Sequence, residues 1–80
     1  MDDLEILTRI NELVDEEHAL EHQPGPHGLG ADEQARLQSI EVALDQCWDL
    51  LRQRRARRTA GEDPDQAHVR DPGVVEGYQQ

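Results

Sequence analysis

Large apolar residues recur at Ile6, Ile10, Leu13 and Leu20, with Leu7 and Val14 beside them and polar residues between. Steps of three and four place these side chains on one face of a helix. Asp2 or Asp3 can cap its start, Glu5 falls in the first turn, and Pro24 stops it, so the pattern predicts a helix over about residues 3–22. Glu17 interrupts the stripe near its end. A second stripe runs through Leu37, Ile40, Leu44, Cys47 and Leu51, with Trp48 alongside. It predicts a longer helix over about 32–60, with Asp32 as its N-cap, Glu33 in the first turn and Gly61 as its terminator.

Between the stripes, Gln23 to Gly30 holds two prolines and three glycines, a connector suited to an antiparallel return, with Leu29 placed to tuck over the open end. At 1.5 Å per residue the helices span about 30 Å and about 43 Å. The first therefore pairs with roughly residues 33–52, and the turns carrying Arg54–Arg58 overhang unless the C-terminal segment or a second subunit covers them. Residues 62–80 begin polar and then offer Val69, Val74, Val75 and Tyr78, interrupted by Pro72 and two glycines. That pattern reads as an extended or irregular tail. The expected fold is all-α: an antiparallel two-helix hairpin over residues 1–61 with an irregular C-terminal tail over 62–80.

Composition adds a reason for the hairpin to pair. The chain has 80 residues, 35% hydrophobic and 32% charged, with no phenylalanine, so its core is aliphatic and thin. A domain this small gains little from a single core. A homodimer, two hairpins forming a four-helix bundle of coiled-coil type, would bury both stripes through Ile6, Ile10 and Leu13 and through Leu37, Ile40, Leu44 and Trp48. One cysteine permits no internal disulfide. Acids at positions 2, 3 and 5 are unlike a signal peptide, and no apolar run is long enough for a bilayer, so the expectation is a soluble cytoplasmic protein without a membrane partner.

Charge is distributed unevenly. The formal net charge is −10, yet residues 50–60 hold five arginines and no acid, after thirteen acids in residues 1–49. Arg52, Arg54, Arg55, Arg57 and Arg58 spread over most of the helix circumference. Three readings fit them: helix C-terminal complementarity with pairing to the chain's own acids, contact with an acidic protein surface, or contact with a nucleic-acid backbone. Eighteen acids weigh against the last, which stays as the competing reading. Arginine without any lysine favours fixed, bidentate geometry over diffuse attraction.

Other groups carry less. Asp15, His18 and His22 have spacings that suit a metal, but with Asn11 they project opposite Ile10 and Leu13, which reads as a solvated polar face. Cys47 lies on an apolar stripe and reads as a small hydrophobe, with a redox-sensing disulfide to another chain as the alternative. Trp48 reads as a bundle or dimer-seam residue, with a ligand platform as the alternative. The glycines of the connector follow no strand and precede no GK[ST], so they mean turns. No catalytic, cofactor-binding or metal-binding residue is expected. The candidate interaction residues are Trp48, Arg52, Arg54, Arg55, Arg57, Arg58 and Tyr78.

Several runs carry a resemblance: Met1-Asp2-Asp3, Ile10 to His18, Leu44 to Ala56 with its Cys47-Trp48-Asp49-Leu50-Leu51-Arg52-Gln53-Arg54-Arg55 core, Asp63-Pro64, Val69-Arg70 and Val75 to Tyr78. Through these, covering nearly the whole chain, it resembles DUF2630, a small actinobacterial family of uncharacterised proteins. The resemblance implies no catalytic role to carry onto any residue. The function expected is that of a non-catalytic protein-interaction or regulatory adaptor presenting the 52–58 arginines and the tail, and the alternative is a nucleic-acid-associated accessory protein.

Overall fold

A computed structural model describes residues 1–22 and 29–76. Two long helices, α1 (Asp3–His22) and α2 (Ala31–Thr59), pack as a hairpin-like pair, followed by a single 3-10 turn at Pro64–Gln66 and a short α3 (Pro72–Glu76). The connector expected over residues 23–30 lies outside the described residues except for Leu29 and Gly30.

Helix α1 opens with a reciprocal cap. The Glu5 backbone N–H donates to Asp2 Oδ1 at 2.8 Å, and the Asp2 N–H donates to Glu5 Oε1 at 3.1 Å. Because Asp2 is the capping acid, the Asp3 carboxylate is left for other partners. Helix α2 begins one residue earlier than expected, with Gly30 at the N-cap and no side-chain cap, while Asp32 and Glu33 lie in the first turn. Its C-terminus closes on Gly61, which adopts φ +76°, a left-handed conformation that favours glycine. There the Glu62 N–H reaches the Arg57 carbonyl at 2.7 Å and the Gly61 N–H reaches that of Arg58 at 3.1 Å. This paired closure satisfies two end carbonyls and reverses the chain.

The tail, expected to be extended or irregular, instead forms two short helical elements. Asp63 accepts the Asp65 N–H at 2.9 Å, and Pro64 supplies the first position of the 3-10 turn. Asp71 Oδ1 accepts the Gly73 N–H at 2.8 Å, so Pro72 opens α3 instead of breaking a strand. Both elements pack on α2, and Val75 is buried. The physical reason is that short side chains ahead of each proline can cap a turn, which apolar spacing does not register.

Ile6, Ile10 and Leu50 form the core, with Val14, Leu44, Cys47, Leu51 and Ala67 packed against them. Leu13 and Ile40 are also buried. This corrects the expected dimer seam: Ile6, Ile10, Leu13 and Ile40 already lie buried within the protomer, leaving Trp48 at the edge. Toward the connector end, Arg36 Nη2 donates to Glu16 Oε1 at 2.7 Å, tying the two helices together at the surface.

Candidate functional site

The arginine-bearing end of α2 does not overhang into solvent. Arg54, with its side chain 8% exposed, donates from Nε to Asp3 Oδ1 at 2.5 Å and from Nη1 to Asp65 Oδ1 at 3.0 Å. Arg58 Nη2 donates to the other Asp3 oxygen at 2.7 Å. Arg54 thus joins the start of α1, the end of α2 and the tail. The two guanidiniums, Arg58 first and Arg54 second, pull the Asp3 carboxyl from an ordinary 3.8 down to about 2. Arg57 lies 4.0 Å from Glu62.

A second ionic group lies earlier along α2. Asp49 is 1% exposed and receives both Nε (2.9 Å) and Nη2 of Arg70, together with the Gln53 amide at 2.9 Å. Hydrogen bonds from Arg70 outweigh burial and hold the Asp49 carboxyl below its usual range. Gln53 also donates to the His68 carbonyl at 2.7 Å, and Gln46 to that of Arg70 at 3.2 Å. Side chains of α2 therefore hold both the backbone and the charges of the tail.

The opposite flank of α2 differs. Trp48 is 45% exposed, and a shallow groove of about 310 Å³ lies between Asp3, Trp48, Leu51, Arg52, Arg55 and Arg58. Arg52 and Arg55 are exposed and make no hydrogen bond or ion pair among the described residues; Arg52 acts on Asp49 through its field alone. Leu7 is 43% exposed and lies one turn after Asp3 on α1.

The seven sequence-derived candidates are thus divided. Trp48, Arg52, Arg55 and Arg58 share the groove, Arg54 is buried in an ion-pair network, Arg57 faces Glu62, and Tyr78 lies outside the described residues. Neither the apolar spacing nor the arginine cluster marks Asp49, Arg70, Asp65 or Gln53. The available signals were an acid set between Trp48 and Leu50, and a lone arginine in an acidic tail.

His18 and His22 stack edge-to-face with centroids 5.4 Å apart on the exposed side of α1, and no group of three metal-ligating side chains occurs among the described residues. Cys47 packs beside the core, and burial pushes its thiol pKa up, away from the reactive thiolate. Among the described residues, no helix is long and apolar enough to cross a membrane.

A family model described as a protein of unknown function (DUF2630) matches residues 2–80. The chain is 53% identical over 77 residues to uncharacterized protein Rv0898c of Mycobacterium tuberculosis and to uncharacterized protein Mb0922c of Mycobacterium bovis. Each alignment covers 95% of this chain and 88% of the relative. No solved structure matches the chain.

Proposed function

The chain belongs to the DUF2630 family, and we propose that it works as a non-catalytic protein-interaction module of adaptor or regulatory type. Its contact surface is the Trp48 flank of α2, offered to a protein surface that sets carboxylates beside apolar groups. The observation that carries this reading is a large exposed aromatic ring beside Arg52 and Arg55, two cations with no ion-pair partner among the described residues. Tryptophan and arginine are the residues most enriched where protein contacts concentrate their binding energy.

The earlier surface of five arginines narrows accordingly. Arg54 and Arg58 are committed to Asp3, and Arg57 faces Glu62. That leaves Arg52 and Arg55 without an ion-pair partner among the described residues, within a field of eighteen acids, which supports a carboxylate-bearing protein over a phosphate backbone.

Photo-cross-linking in cells tests this reading. A photoreactive residue replacing Trp48 is expected to give discrete protein adducts, while the same residue at Gln66, on the tail, gives none. Equal labelling from both positions, or no adduct from position 48, would refute the reading.

A further inference from the structure

The exposed flank of α2 carries an ordered set of charges. Glu41, Asp45, Trp48, Arg52 and Arg55 are all exposed, and at 100° per residue they fall within an arc of about 80°. With 1.5 Å of rise per residue, Glu41 and Asp45 lie about 10.5 and about 4.5 Å before Trp48. Arg52 and Arg55 lie about 6 and about 10.5 Å beyond it. None of the four charged side chains makes an ion pair or hydrogen bond among the described residues. The flank therefore runs from acid through aromatic to base and is nearly symmetric in spacing about Trp48.

Such an array is complementary to itself when reversed. We infer that a second copy of this chain docks on this flank, with the two α2 helices antiparallel across a two-fold axis at Trp48. Arg55 of each copy then meets Glu41 of the other, and Arg52 meets Asp45 with an axial offset of about 1.5 Å. The tryptophans meet at the centre, over the apolar edge formed by Leu51 of each chain. The closed two-fold arrangement uses one patch twice, as isologous dimers do. The hairpins would contribute four helices in all, joined through the exposed flank instead of the Ile6 and Ile10 face, which the protomer keeps for itself.

This pairing rests on the interaction reading above and names its partner. Charge complementarity favours the second copy over an unrelated acidic protein, because the required carboxylates occur at the matching spacing on the same helix.

The test is charge reversal in the full chain, read by sedimentation equilibrium across a concentration series, with circular dichroism checking that every variant stays helical. The unsubstituted chain is expected to reach twice its 9.1 kDa mass. Arg55→Glu alone and Glu41→Arg alone each weaken dimerisation by about tenfold or more, since each places like charges opposite one another twice. The variant carrying both recovers to within about threefold of the original, the reversed pairs having been restored. Within one chain these positions are about 21 Å apart along α2, so only a second copy can produce the rescue. A monomer at all concentrations, or a dimer indifferent to both reversals, overturns the pairing. If such a monomer still gives adducts from position 48 in cells, the pairing alone has failed and the flank serves another acidic protein.

Discussion

The two flanks of α2 use the same residue types to opposite ends. On one, Asp49, Gln53 and Arg54 are matched by Arg70, the His68 carbonyl, Asp65 and Asp3, so the charges are neutralised within the chain. On the other, Glu41, Asp45, Arg52 and Arg55 have no such match among the described residues and surround a half-exposed tryptophan. What separates them is which segment lies alongside: the described part of the tail packs on one flank and not on the other. A cluster of arginines therefore says little until its neighbours are known, because a buried, paired guanidinium is architecture and an exposed, unpaired one is a contact group.

Acid should break the closed flank most completely. Asp3 and Asp49 have folded pKa values below their ordinary ones, so the unfolded chain takes up protons first as pH falls. Their contribution is fully present above the unfolded value and is lost as pH falls through the folded one, between about 4 and about 2 for Asp3. Carbon NMR should show the Asp3 carboxyl titrating near pH 2, and Arg54→Gln should move that midpoint upward. A wild-type midpoint at the ordinary 3.8 would dissolve the network at this end of the hairpin.

Asp49→Ala comes next. Removing this carboxylate strands Arg70 and Gln53, and we expect a loss of about 2–3 kcal/mol in urea unfolding, moderated because the Arg70 side chain is one-third exposed. Amide exchange over residues 64–75 should accelerate more than over α1. A loss below about 0.5 kcal/mol, the ordinary surface range, would put Asp49 on the same footing as the open flank.

Trp48→Ala should cost less, about 1–2 kcal/mol at dilutions that keep the chain monomeric, because the ring is only half-buried within the protomer. A loss of about 3–5 kcal/mol would mean the indole behaves as a fully buried group. The smallest effect is expected from Arg52→Gln with Arg55→Gln, which should leave the unfolding midpoint of the monomer unchanged. Arg54→Gln should lower that midpoint clearly. Equal effects from these two sets would erase the contrast between the flanks.

Both long helices were legible in the sequence because burial of an apolar face writes a period of three and four. The first was expected over 3–22 and occupies Asp3–His22; the second was expected over 32–60 and occupies Ala31–Thr59. The tail was not legible. Its anchors join residues 21 apart, Asp49 with Arg70, and 11 apart, Arg54 with Asp65, and ion pairs at such separations leave no periodic trace. Pro72 pointed away from regular structure, whereas it starts α3 behind the Asp71 cap. The groove was partly legible: Trp48 and the arginine run stood out, but which arginines remain available depends on Asp3, which lies 51 residues before Arg54 in the chain.

The glycine turn at the end of α2 has a consequence for how this chain can vary. Because Gly61 sets where the polypeptide doubles back, it also sets the phase of the tail against α2, and Asp65 and Arg70 must arrive in step with Arg54 and Asp49. One residue added or removed between Gly61 and Asp65 would slide the tail by about 2 Å or more, beyond what a hydrogen bond can stretch. The segment therefore acts as a ruler whose length is fixed at both ends, and its sequence is freer to drift than its residue count.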